Sequence, residues 1–169
     1  MSTRAKKSGV AYDIERKMEE NYDREEAQGT PRQIITWIIE VMASDDGKFE
    51  KPTEELLDWK SLCTYLRDGV VLCKFLNILL LKDNKSKVTF SKKVSNSFAA
   101  MTNIENFNKG CEAYGLAREF SFQSGDLWEV RKGPFYNVIN CLHSLGFVAN
   151  SKAFIPAYAG EVTKYMDRD

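Results

Sequence analysis

From Val70 to Leu81 the chain reads Val-Val-Leu-Cys-Lys-Phe-Leu-Asn-Ile-Leu-Leu-Leu, interrupted only by Lys74 and Asn77. A helix that is apolar on nearly every side has to be buried on nearly every side. The run is too short for the roughly 20 apolar residues of a membrane span, so protein must surround it. The rest of the fold is therefore expected to wrap around this segment, which Arg67-Asp68-Gly69 introduces.

The flanking sequence supplies helices to do so. Val10, Ile14, Met18 and Tyr22 recur every fourth residue, which predicts a surface helix with one docked stripe. Thr30-Pro31-Arg32-Gln33 reads as a capping box with proline at the first helical position, ahead of Ile34, Ile35, Trp37, Ile38, Val41 and Met42. Ser44-Asp45-Asp46-Gly47 ends that helix. Phe98, Met101, Ile104, Phe107, Cys111 and Tyr114 predict a further long core helix, with Gly115 as its left-handed terminator. Gly133-Pro134 opens the last core helix, with Phe135, Val138, Ile139, Leu142 and Leu145 inward and Gly146 closing it. Strand-like alternation never exceeds four residues. The expected fold is all-α, a compact domain of about four long helices with short connecting ones.

Lys82 to Ser97 is polar and is expected to be irregular, anchored by Val88 and Phe90. The expected organisation is a flexible basic terminus at 1–8, one domain at 9–148, and a tail at 149–169. In that tail Phe154, Ile155, Pro156, Tyr158 and Tyr165 are too apolar for a free linker. Part of it should pack back or dock a partner, with Val162, Tyr165 and Met166 as one apolar stripe.

A chain of 169 residues buries about 70% of its unfolded surface and needs neither disulfide nor metal to fold. Cys63, Cys73, Cys111 and Cys141 form no CxxC pair and read as reduced, buried thiols. The 24 basic and 24 acidic side chains cancel, which excludes a strongly basic nucleic-acid binder. The first residues lack the apolar core of a secretory signal. These features together point to the cytoplasm, with no transmembrane segment.

Charge is nonetheless uneven. Lys82, Lys85, Lys87, Lys92 and Lys93 stand against Asp83 alone within residues 82–93, a net +4. Such a segment is either a solvated loop or a surface for an acidic partner: a filament, a GTPase or an anionic lipid head group. Aromatics other than Phe90 are missing from it, which argues against single-stranded nucleic acid. Ser91, Ser95 and Ser97 lie beside the lysines, where phosphorylation would offset the charge.

Catalytic chemistry is poorly supported. His143 is the one histidine, and its helical phase places it away from the inward positions, as a partly exposed residue. The chain has no GxGxxG, no GxxxxGK[ST] and no metal-ligand cluster. Asp126 and Glu129 could pair for acid/base work, but Asp126 reads better as the cap of a short helix whose Trp128 enters the core. The chain is expected to be no enzyme and to need no cofactor or metal.

Arg67-Asp68-Gly69-Val70-Val71-Leu72-Cys73 through Asn77 resembles the core helix of calponin homology domains. Met101-Thr102-Asn103-Ile104-Glu105-Asn106-Phe107, Tyr114-Gly115-Leu116 and Phe122 to Glu129 resemble three more of their motifs, in order. Gly9 to Asp23 looks like the leader helix of the calponin and transgelin branch. In that resemblance Asp68, Gly69, Leu72, Asn77, Ile104, Phe107, Asp126, Leu127 and Trp128 are structural residues. The resemblance implies an actin-cytoskeleton protein acting at the filament or cell cortex. Lys82, Lys85, Lys87, Lys92 and Lys93, with Arg131 and Lys132, would contact actin. The alternative it implies is a signalling adaptor that binds a small GTPase or kinase.

Overall fold

The computed structural model describes residues 9–45, 47–52, 56 and 58–161. The basic segment 1–8 and the stripe of Val162, Tyr165 and Met166 lie outside them. Seven α-helices are present among the described residues, with no strand. They are α1 (Val10–Ala27), α2 (Thr30–Asp45), α3 (Trp59–Leu66), α4 (Val70–Lys82), α5 (Ser97–Tyr114), α6 (Gly125–Trp128) and α7 (Lys132–Ser151), with a 3-10 turn at Arg118–Phe120.

Helix α4 is the centre. Leu72, Cys73, Phe75, Leu76, Leu79 and Leu80 are fully buried, as an all-round apolar helix requires. It packs on α5, α2 and α3, while α7 lies across α1, α2, α3 and α6. The Trp37 ring of α2 meets Phe75 of α4 edge-on at 4.9 Å. All four cysteines are buried free thiols, as their apolar settings suggested.

Local signals set the helix ends. Asp58 Oδ1 accepts the Ser61 amide at 2.8 Å ahead of α3, and Asn96 Oδ1 accepts the Ala99 amide at 2.9 Å ahead of α5. Gly115, at φ +125°, terminates α5 while the Leu116 amide returns to Cys111 O at 2.9 Å. Gly69 has φ +80° ahead of α4, and a Cβ there would lie 2.9 Å from Asn103 Cβ. Both the backbone angle and the close approach of α5 demand glycine.

Several expectations are corrected. Thr30 makes no capping box: its hydroxyl donates to the buried Glu25 carboxylate at 2.7 Å, and Gly29 O takes the Gln33 amide. Val10 and Ile14 are exposed at 76% and 57%, so only the Met18–Tyr22 half of the α1 stripe docks. Phe98 at 72% and Met101 at 38% also lie outside the core. Gly146 does not end α7, which continues to Ser151. Its missing side chain makes room for Tyr158, whose Cδ2 would lie 2.2 Å from a Cβ.

That contact belongs to the returning chain after α7. Phe154 and Tyr158 are buried, Trp37 Nε1 donates to Pro156 O at 2.9 Å, and the Asn150 amide brackets Tyr158 N and O at 2.9 and 2.8 Å. This strap corrects the placement of His143. The residue is fully buried, because the strap covers the face of α7 that helical phase alone leaves open. His143 Nδ1 lies 2.6 Å from the Tyr158 hydroxyl, and its ring packs edge-on against Phe147 at 4.6 Å.

Candidate functional site

The lysine-rich segment between α4 and α5 is irregular, as its composition suggested. Three asparagine side chains attach it to the core. Asn77 of α4 receives the Val88 amide at 2.8 Å and donates to Val88 O at 3.1 Å. Asn103 of α5, fully buried, does the same for Ser91 at 2.8 and 3.0 Å, and also donates to Asp68 O at 3.0 Å. Asn106 donates to Thr89 O at 2.9 Å. An amide side chain offers one acceptor and two donors, so it can pair with an extended backbone as a neighbouring strand would. Val88 and Phe90 pack inward against the core from the same stretch. Asp68 secures the other end of this arrangement by accepting the Val70 amide at 3.0 Å.

The lysines face different surroundings. Lys87 and Lys92, with Lys74 of α4, rim a surface groove of about 390 Å³ floored by Met42, Phe49, Ile78, Leu81 and Phe90, with Asp45 at its edge. Lys74, Lys87, Lys92 and Lys93 are exposed and make no ion pair among the described residues. Lys85 pairs with Asp83, and Lys152 reaches the same carboxylate at 3.1 Å. These two ammonium groups hold the Asp83 carboxyl below the usual carboxylate range. Lys82 lies over the Phe154 ring at 5.6 Å. The segment therefore divides into an internally paired part, Lys82 and Lys85, and an unpaired part, Lys87, Lys92 and Lys93. Sequence reasoning omitted Lys74 from this surface; its charge in the middle of the largely apolar α4 was the available signal.

Arg131 and Lys132 belong elsewhere. Arg131 pairs with Glu15 and with Glu129, and Lys132 with Asp23 at 2.5 Å. The Glu15 and Asp23 pairs join the start of α7 to α1, and none of the lysines of 82–93 takes part in any of the three.

The carboxylates near α6 have structural partners, but Asp126 is not the cap of that helix: Ser124 holds the cap position without a side-chain bond, and Asp126, one residue inside α6, reaches back to the chain ahead of it. Asp126 Oδ2 accepts the Gln123 amide at 3.0 Å and the Asn137 side chain at 3.4 Å. Burial nonetheless holds its carboxyl above the ordinary range. Leu127 is fully buried, but Trp128 is only half-buried, which corrects its assignment to the core. Its ring is covered by the Arg67 guanidinium at 3.8 Å, and Arg67 Nε donates to Trp128 O at 2.8 Å. Leu72, Ile104 and Phe107 are buried, so these motif residues act through packing. No group of three or more metal-ligating side chains occurs among the described residues, and no described helix is long and apolar enough to cross a membrane.

The family model described as "Calponin homology (CH) domain" matches residues 29–151. The chain is 32% identical over 115 residues to Rac guanine nucleotide exchange factor B of Dictyostelium discoideum, covering 68% of this chain and 9% of that protein. Among solved structures it is similar to the calponin-homology domain of Rng2 from Schizosaccharomyces pombe. The TM-score is 0.55 at 23% identity, over 82% of this chain and 81% of that one. That likeness agrees with the all-helical architecture, and the family match spans α2 to α7 with the asparagine-held loop inside it. The chain belongs to the calponin homology domain family.

Proposed function

We propose that this chain is a non-enzymatic protein of the actin cytoskeleton, of the transgelin or calponin type, that binds filaments at the filament or cell cortex in the cytoplasm. Membership of the family supports the cytoskeletal part of this reading. The observation that carries the rest is the unpaired lysine set, Lys87, Lys92 and Lys93, on a loop fixed to the core by Asn77, Asn103 and Asn106. Cations without internal carboxylates keep their charge available for an acidic partner, and the backbone clamped at Val88, Thr89 and Ser91 presents Lys87 in one geometry and roots the segment that carries Lys92 and Lys93. Lys82 and Lys85 contribute from the adjoining part of the segment. Arg131 and Lys132 fasten α1 to α7, so we extend the domain to residue 9 and leave those two cations out of the contact surface.

Co-sedimentation with actin filaments tests this. Saturable binding is expected, weakening between about 50 and 150 mM salt as the screening length shortens. The Lys92→Glu/Lys93→Glu chain should bind about tenfold more weakly or worse. Equal binding by the two chains would remove the lysine loop from the interface.

A second reading, a signalling adaptor for a small GTPase, is favoured by the likeness to a Rac exchange factor. The chain spans only 9% of that protein. A pull-down on nucleotide-loaded GTPase that retains the chain, alongside no filament binding at either salt, would select it.

A further inference from the structure

The last part of the lysine loop, between Ser91 and Asn96, is held at both ends and unheld between them. Asn103 pairs with both backbone groups of Ser91, and Asn96 begins α5 with its side chain on the Ala99 amide. From Lys92 to Ser95, no amide or carbonyl makes a hydrogen bond among the described residues. Lys92, Lys93 and Ser95 are exposed, and Val94 is half-buried. The result is a short arch of accessible backbone that carries two unpaired cations and then a hydroxyl.

We propose that Ser95 is a phosphorylation site, modified by a protein kinase that selects basic substrates. A kinase active site must admit several residues of extended chain, and backbone already committed to helix or clamp hydrogen bonds would have to be released first. From Lys92 through the acceptor itself the arch needs no such release, and only the first turn of α5 beyond it is committed. Selection for basic substrates rests on kinase carboxylates that pair with cations just ahead of the acceptor, and Lys92 and Lys93 stand three and two residues before Ser95.

Neighbouring serines fail on the same grounds. Ser91 precedes the lysines instead of following them, and its backbone is clamped by Asn103. Ser97 already lies in α5, with Val94 and Ser95 at the positions where cations are needed.

In the transfer, Ser95 Oγ attacks the γ-phosphorus of ATP as its proton passes to the kinase's base. The bond to the bridging oxygen breaks and ADP leaves. The product places a charge of about −1.5 to −2 beside Lys92 and Lys93, enough to offset those two lysines and to remove about half of the segment's net +4. Ser95 is thereby an off-switch for the lysine surface. This consequence rests on the filament-binding reading above, whereas the acceptor assignment does not.

The test is to treat the folded chain with the catalytic subunit of cyclic-AMP-dependent protein kinase, a basic-directed probe, and ATP. The site is then mapped by mass spectrometry. Phosphate should accumulate on Ser95, vanish in Ser95→Ala, and slow about tenfold or more in Lys92→Ala/Lys93→Ala. Ser91→Ala and Ser97→Ala should leave it unchanged. Phosphate confined to Ser91 or Ser97, no phosphate at all, or incorporation indifferent to the two lysines would overturn the assignment; the mapping on unsubstituted chain does not depend on any variant folding. In co-sedimentation, the phosphorylated chain should bind filaments about tenfold more weakly, with Ser95→Ala treated identically retaining full binding. Phosphate on Ser95 that leaves filament affinity intact would overturn the switch. Phosphate on Ser95 in a chain that binds no filaments would sink the filament reading and leave the acceptor standing.

Discussion

Asn103 shows how much one polar side chain can organise when it is buried with every group paired. Its amide joins three parts of the chain that sequence separates: α5 itself, Ser91 in the lysine loop and Asp68 ahead of α4. Substitution Asn103→Ala removes all three hydrogen bonds and strands their backbone partners. A loss of about 2–3 kcal/mol is expected in urea unfolding, with weaker hydrogen-exchange protection at Ser91. The sequence marked Asn103 only as part of a motif, because a buried amide and an exposed one have the same letter. The cysteines were better marked. Burial pushes Cys63 and Cys73 up to about 12 and Cys111 also well above its ordinary range. Native protein at about pH 8 should therefore resist a thiol reagent that labels all four sites once denaturant is added. Fast native labelling would show that the core opens readily.

At the scale of the element, the two misjudged helices share one cause. A spacing of four residues overshoots a helical turn by about 40°, and a spacing of three falls short by about 60°. Three successive steps of four therefore put Val10 roughly 120° from Tyr22. Counting back nine residues from Phe107 puts Phe98 on the opposite side of α5, at roughly 180°. Apolar residues taken one step at a time thus look like a stripe while drifting out of the buried face. The observed exposure follows that drift. It gives a paired test: Phe98→Ser should change stability by about 0.5 kcal/mol or less, and Phe107→Ala should cost about 3–5 kcal/mol. Comparable losses at both positions in thermal unfolding would mean that Phe98 is covered in solution. Helix α4 was legible for the opposite reason, since an element apolar all round has no phase to misjudge. Its neighbour loop was legible through Val88 and Phe90, which both pack inward.

On the scale of the whole molecule, the strap from Phe154 to Tyr158 closes the domain over α7 and α2, and it was only half legible. Its aromatic content showed that it must pack somewhere, but its landing place is a tertiary choice that no local pattern encodes. His143 was misplaced as a direct result. Burial lowers its pKa, with the Glu25 charge and the Glu161 backbone opposing more weakly. A folded-state pKa below the unfolded value of about 6.5 means that the unfolded chain binds the proton more readily. The stability from neutral, buried His143 is therefore complete above about pH 6.5 and lost as pH falls below it. Denaturant midpoints should drop between about pH 7.5 and 5.5, and His143→Phe should flatten that drop. An unchanged slope in the variant would assign acid sensitivity to other groups. The asparagine clamps carry a different consequence, for the thermodynamics of capture. Any partner that seizes the loop finds residues 88–91 already ordered, so around Lys87 it forfeits only side-chain freedom, about 0.5–1.5 kcal/mol for each long chain immobilised. The unbonded arch from Lys92 to Ser95 must surrender backbone freedom too, at most about 1–2 kcal/mol per residue. The entropic cost of recognition is thus concentrated in four residues, and calorimetry on a chain stiffened there should show tighter binding through a smaller entropy loss, with the enthalpy nearly unmoved.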